Sequence, residues 1–198
     1  YNLREFFFID QAFNQPLDFA KALCTSLITE NLNIKWNTNI TTHGPDGELI
    51  SLMSKAGCQM VLIGGPVISN ENRQELSINL KSSLEQMITL CDLCQNHGLP
   101  YSITQAFGEL GETDETISLK LTGLSQVAGK DRMAHVNIRI GNRLLPGSPL
   151  IESAKQDGLI KDEKDLLMPA FYVDPSVRSN IVEKLQSAAE PHSNWHIM

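Results

Sequence analysis

Short apolar runs at 5–9, 34–40, 60–63, 100–106 and 133–140 recur along the first 140 residues, each the length of a strand. Between them lie longer segments with apolar residues at helical spacing, such as Leu17, Ala20, Leu23 and Leu27, then Leu84, Met87, Ile88 and Cys91. The runs are spaced by roughly 25 to 40 residues, room for one helix per crossover, so the pattern predicts a parallel α/β sheet. Helix punctuation agrees: a helix starts near Gly47-Glu48-Leu49 and stops at Gly57, another stops at His97-Gly98, and Thr113-Asp114-Glu115 supplies a capping oxygen and first-turn acids. After residue 140, Pro146-Gly147-Ser148-Pro149 forces a turn, a short helix is expected over 150–156, and Pro169-Ala170-Phe171-Tyr172 breaks the chain again. Val177, Ile181, Val182 and Leu185 predict a terminal helix over 175–189. The division expected is a β/α unit over 1–150 with a C-terminal helical extension, 151–198, packed on it. Alternation alone leaves a barrel and an open doubly wound sheet equally open.

Composition narrows the function classes. With 198 residues and 41% hydrophobic content, one core and one domain are expected. A formal charge of −7 and no dense Lys/Arg run give no footprint for nucleic acid or an anionic membrane. No apolar run approaches the ~18 residues of a membrane span, and Tyr1-Asn2-Leu3-Arg4-Glu5 lacks the basic-then-apolar order of a secretion signal. A cytoplasmic location follows as an expectation. The chain opens on Tyr1 and almost at once enters a strand-like run, as a piece trimmed from a longer polypeptide would. The four cysteines are expected as thiols rather than disulfides. Cys91-x-x-Cys94 lies in a helical pattern, where the two share a face as small apolar residues, and a zinc site would usually add a second ligand pair. No metal site is expected. His192 and His196 follow Pro191 in what reads as a loose tail.

Taken in order, the strand ends carry a set of motifs that resembles the radical S-adenosylmethionine (SAM) enzymes, in particular the branch with a cobalamin-binding domain that includes anaerobic magnesium-protoporphyrin ester cyclases. Phe7-Phe8-Ile9-Asp10-Gln11-Ala12-Phe13-Asn14 resembles the second-strand motif, and Ile34-Lys35-Trp36 with Gly47-Glu48-Leu49-Ile50 the third unit. Ala56-Gly57-Cys58-Gln59-Met60-Val61-Leu62-Ile63-Gly64-Gly65 resembles the fourth strand, and Phe107-Gly108-Glu109-Leu110-Gly111-Glu112-Thr113 the fifth-strand loop. Ile140-Gly141-Asn142-Arg143-Leu144-Leu145-Pro146-Gly147-Ser148-Pro149-Leu150 and Asp165-Leu166-Leu167-Met168-Pro169-Ala170-Phe171-Tyr172 complete the series. Each motif is weak alone; six in order are specific.

The resemblance implies a partial TIM-like (β/α) barrel over 1–150 with ligands at the carboxyl ends of the strands. It implies SAM and a [4Fe–4S] cluster as cofactors of the parent protein, cobalamin from another domain, and a tetrapyrrole or other small molecule as substrate. Asp10 and Gln11 would meet the methionine amino group, Gly64 and Gly65 would let the backbone approach the ligand, and Gly108 and Glu109 would neighbour adenine and ribose. Asn39, Gln105 and Arg143 complete the implied cofactor-binding set; no catalytic residue is assigned. The family's Cys-x3-Cys-x2-Cys cluster motif does not occur in the chain. Gln11, Pro66 and Leu110 also depart from the family pattern, and Pro66 removes a backbone donor. The chain alone is therefore expected to be catalytically silent. Other readings of the residues stay open: Asp10 as a turn cap, Gly64-Gly65-Pro66 as an ordinary turn, and Arg143 as a surface ion-pair partner. So do a degenerate barrel serving as a binding module, and an unrelated α/β enzyme using Asp10, Glu109 or Glu112 in acid–base work. Unpaired strand edges make a homodimer conceivable.

Overall fold

A computed structural model describes residues 4–67, 73–128 and 133–198. Strands β1 (Glu5–Phe8), β2 (Lys35–Ile40), β3 (Cys58–Gly64), β4 (Tyr101–Phe107) and β5 (Ala134–Ile140) alternate with helices α1 (Leu17–Thr29), α2 (Gly47–Lys55), α3 (Arg73–Asn96) and α4 (Asp114–Ala128). The strands pair in parallel in the order of the chain, β1-β2-β3-β4-β5. A doubly wound sheet reverses its strand order at a switch point; this order has no reversal, which settles the ambiguity in favour of barrel-like topology.

The two faces of the sheet differ, as the period-two pattern requires. Toward the helices point Trp36, Ile40, Val61, Ile63, Ile103, Phe107, Val136 and Ile138, all buried. Asn37, Asn39, Thr104, His135, Asn137 and Arg139 alternate with them on the other face and remain partly or well exposed. A closed TIM barrel fills that inner face with branched apolar side chains. Here polar side chains share that face with Met60, Leu62 and Ala106, and much of it is open to solvent.

Local chemistry sets the element ends. Asp46 caps α2, its Oδ1 accepting from the Leu49 amide at 2.9 Å. Lys21 from α1 reaches Asp46 at 2.6 Å and Glu48 at 2.5 Å, and its ammonium holds the Asp46 carboxyl below the ordinary value. Gly57 turns α2 into β3 at φ +93°, and a Cβ there would lie 2.1 Å from the Ile34 carbonyl oxygen, so no other residue fits. Trp36 donates its Nε1 proton to the Ala56 carbonyl at 2.9 Å and packs against Phe8 and Phe13, with ring centroids about 5 Å apart. At α4, Thr113 and Thr116 exchange hydrogen bonds between backbone amides and hydroxyls, satisfying two donors of the first turn.

Beyond β5 the chain forms a small unit. Strands β6 (Asn142–Arg143) and β7 (Phe171–Tyr172) pair antiparallel, and α5 (Leu150–Gln156) and a 3-10 turn (Glu163–Leu167) lie between them. Leu144, Ile151, Ala154, Ile160 and Tyr172 make its separate core. The terminal helix is shorter than expected: α6 spans Ile181–Ala189, with turns before it. The expected loose tail is instead β8 (Trp195–Ile197), a sixth parallel strand beside β5. Burial of Trp195 and its stacking on His192 at 4.4 Å anchor that strand, and Asn194 donates from its side chain to the Ala134 carbonyl at 2.8 Å. Among the described residues no helix is long and apolar enough to cross a membrane.

Candidate functional site

The loops at the carboxyl ends of β1 to β5 enclose a cleft of about 650 Å³, within the size range of small-molecule and cofactor sites. Gln11 follows β1, Asn39 and Ile40 end β2, and Thr41, Thr42 and His43 come from the loop after it. Gly64, Gly65 and Pro66 form the next wall, with Thr104 and Ala106 from β4 and Arg139 from β5 opposite.

Buried polar contacts shape the walls. Asn14, 1% exposed, accepts from the Thr41 amide at 2.9 Å and donates to the carbonyls of His43 at 2.8 Å and Thr41 at 3.2 Å. One side chain thus replaces the missing backbone partners of two loops and ties them into one rim. The Phe13 amide donates to the Asn39 carbonyl at 3.0 Å, and the Asn39 side chain donates to the Asp10 carbonyl at 2.9 Å. On the opposite wall the fully buried Gln105 donates its Nε2 protons to the carbonyls of Pro66 at 2.8 Å and Ala106 at 2.9 Å. Gly65 makes this possible: a Cβ there would lie 2.1 Å from Gln105 Oε1. The glycine is required by close approach of a side chain behind the wall, rather than by a left-handed backbone.

The loop 108–113 is built around a buried ion cluster. Lys120 Nζ lies 2.7 Å from Glu109 Oε2 and 2.7 Å from Glu112 Oε1, and donates to the Ala106 carbonyl at 3.0 Å. Lys120 and Glu112 have no solvent exposure, and Glu109 is 4% exposed. Glu112 Oε2 accepts from the Gly108 amide and from the Glu109 amide at 3.1 Å. Burial still pushes the Glu112 carboxyl above its ordinary value, because Lys120 and these amides recover only part of the lost hydration. Asp174 clamps the other side, accepting from the Gly111 amide at 2.7 Å and the Ser176 amide at 2.9 Å, while Ser176 Oγ donates to the Glu112 carbonyl at 2.9 Å. The loop before α6 therefore fastens the loop after β4.

Of the residues assigned by resemblance, the structure gathers Gln11, Asn39, Gly64 and Gly65 around the cleft. Asp10 is exposed and is not among the described lining residues; its carbonyl accepts from the Asn39 side chain. Gln105 supports the wall from behind. Gly108 and Glu109 belong to the ion-clustered loop, where Gly108 abuts Val173 and Ile181, and Arg143 is exposed on β6, opposite Phe171. None of these last four is among the described lining residues. Sequence reasoning did not single out Thr41, His43, Thr104 or Arg139. The one available signal was the alternation His135-x-Asn137-x-Arg139, which marks a polar face within an otherwise apolar run.

The four cysteines lie elsewhere. Cys24 is on α1, Cys58 on β3 and Cys91 with Cys94 on α3, all buried in the core between sheet and helices. Burial pushes the Cys24 and Cys58 thiols up to about 12. Among the described residues no three His, Cys, Asp or Glu side chains converge as a metal site would require.

No family model and no curated protein sequence matches the chain. Solved structures do. The radical SAM methyltransferase TsrM from Kitasatospora setae, with cobalamin and a [4Fe–4S] cluster bound, superposes with a TM-score of 0.73 at 18% identity, over 98% of this chain and 46% of its own length. The same enzyme with tryptophan substrate and the SAM analogue aza-SAM gives 0.70 at 19% identity, over 94% and 43%. Coproporphyrinogen III oxidase (HemN) from Escherichia coli, a radical SAM enzyme, gives 0.52 at 14% identity, over 86% and 37%. The chain thus has the parallel α/β fold of the radical SAM barrel and spans less than half the length of these proteins.

Proposed function

We propose that this chain is the SAM-binding part of a radical SAM-type barrel and that, as these 198 residues, it holds SAM without cleaving it. The observation that carries the reading is the cleft at the carboxyl ends of β1 to β5, walled by Gln11, Asn39, Gly64 and Gly65, on a fold shared with enzymes of that chemistry. Thr104 joins these as a neutral hydrogen-bonding group, and Gly64 and Gly65 offer backbone unobstructed by side chains. Bound SAM would supply the sulfonium whose carbon–sulfur bond a reduced cluster breaks. This chain's residues bind and orient it; Gln105, by fixing the Pro66 carbonyl, keeps the glycine wall in place.

The same residues do not fit a [4Fe–4S] cluster. Its ligands must be thiolates grouped at the mouth of the site, whereas these thiols are dispersed over α1, β3 and α3 and buried on the helix side. In the parent protein the reading takes the substrate to be a tetrapyrrole or other small molecule, any cobalamin to be held outside this chain, and the location to be cytoplasmic. It also includes self-association through β1, whose outer edge has no partner strand among the described residues and whose Phe6 and Phe7 are 43% and 47% exposed.

Anaerobic reconstitution with iron and sulfide tests the reading. The expected result is saturable SAM binding by calorimetry, no cluster absorbance, and no 5′-deoxyadenosine on adding dithionite. A cluster spectrum with deoxyadenosine release would overturn the silent assignment, and a flat calorimetric titration would overturn the binding one.

A further inference from the structure

Beside the main cleft lies a second cavity of about 220 Å³, and Thr42 lines both. One side is the loop after β2, with Thr42 and Pro45. The other is a stripe of α3 in which Gln86, Thr89, Leu90 and Leu93 fall at the three- and four-residue spacing of one helix face. The cavity is smaller than a whole cofactor site and has room for the end of a molecule. Pro45, Leu90 and Leu93 give it apolar walls, and its polar atoms share one character. Glu85 brings a carboxylate, and no Lys, Arg or His is among the described lining residues. Thr89 commits its hydroxyl proton to the Glu85 carbonyl at 2.8 Å, so only its lone pairs remain for the cavity. Gln86 Oε1 is buried with no hydrogen-bond partner. Asn37, Gln105 and Trp195 also carry such an atom, but of these side chains only Gln86 lines a described cavity. An unsatisfied buried acceptor costs stability, and it is accounted for where a donor arrives from outside the chain.

We infer that this side cavity is a subsite for a protonated primary amine, held by the Glu85 carboxylate and the oxygens of Gln86 and Thr89. An ammonium group has three protons and no acceptor, which matches three acceptors grouped beside an apolar recess for the attached carbon chain. The torsion next to a glutamine amide is broad, so Oε1 turns to meet the ammonium at little cost. The proposal does not depend on SAM occupying the main cleft. SAM and a second small molecule are both sources of such an amine, and the chemistry at Glu85 and Gln86 is the same for either.

The test titrates the whole chain, methyl-labelled at leucine and threonine, with n-butylammonium chloride at pH 7 and constant ionic strength. Saturable shifts are expected at the Thr89, Leu90 and Leu93 methyl groups, and none at Thr104 in the main cleft. Glu85→Gln keeps the shape and removes the charge; because Glu85 is exposed, binding should weaken about five-fold, the upper range for an exposed ion pair. Gln86→Met removes the oxygen and should weaken butylammonium about ten-fold, the scale of a hydrogen bond to a charged group. The same variant should leave the urea midpoint unchanged or raised, because the acceptor it removes has no partner in the protein. A lowered midpoint with unchanged butylammonium affinity would make Gln86 a structural residue and overturn the proposal. The absence of saturable shifts at Thr89, Leu90 and Leu93 overturns the site, and n-butanol binding as tightly as butylammonium overturns the amine assignment. Adding SAM then separates the sources. Displacement of butylammonium assigns the amine to SAM, and butylammonium retained beside bound SAM assigns it to a second ligand. Butylammonium binding by a chain that binds no SAM upholds this cavity and removes only SAM from the main cleft.

Discussion

Lys120 is the side chain on which the loop after β4 depends. Its ammonium faces two carboxylates in a buried site, and removing one partner of such a cluster leaves uncompensated charge buried. Lys120→Met should therefore destabilise the chain by about 3–5 kcal/mol in urea unfolding, and a loss under ~1 kcal/mol would mean the carboxylates are solvated. Glu112 adds a pH dependence with a definite sign. Its folded value lies above the ordinary 4.5, so the folded state binds the proton first and stability rises as pH falls through the folded value toward 4.5. Glu112→Gln removes that component, so the stability difference between wild type and variant should change with pH in this window and flatten above it. The motif Gly108–Thr113 made Glu112 conspicuous in the sequence, but its role was not legible. The partner, Lys120, lies eight positions on, and only the loop's fold back onto α4 brings them together.

The wall formed by β3 and β4 works as a unit. Gly65→Ala would place a methyl group 2.1 Å from Gln105 Oε1, and Gln105 is held at Pro66 and Ala106, so wall or side chain must move. The cost should be about 1–3 kcal/mol, as for overpacking elsewhere, accompanied by weaker SAM binding in calorimetry. Unchanged stability and affinity would show the wall to be pliable. Helices and strands up to residue 140 were readable because β3, β4 and β5 end at or beside Gly64, Gly108 and Gly141 and the helices bury one stripe: Ala20 and Cys24 are buried on α1, with Leu17, Leu23 and Leu27 packed around them. Strand β8 was not readable. Three residues after a proline carry no periodicity, and the strand exists because Trp195 finds a place in the core beside β5.

Across the molecule, the sheet divides an apolar, thiol-containing half from a polar, open half. All four cysteines are in the former. At pH 8 the folded chain should react with Ellman's reagent far more slowly than the unfolded chain, which should release four equivalents at once. A folded chain with even one thiol reacting at the unfolded rate would contradict this burial. Alternating β and α segments made the parallel sheet legible, whereas the barrel-like topology became visible only in the strand order. The polar face was written in Asn37, Asn39, Asn137 and Arg139, yet a strand read for its apolar residues hides the residues between them. That face, at the carboxyl ends of the strands, is where we propose that SAM binds. The most direct measurement is an amide-resolved NMR titration with SAM. Saturable shifts should cluster at Gln11, Asn39, Gly64, Gly65, Thr104 and Arg139 and leave α5 and the 3-10 turn unmoved. No shifts at millimolar SAM, or shifts centred on α5 and the 3-10 turn instead, would contradict the assignment.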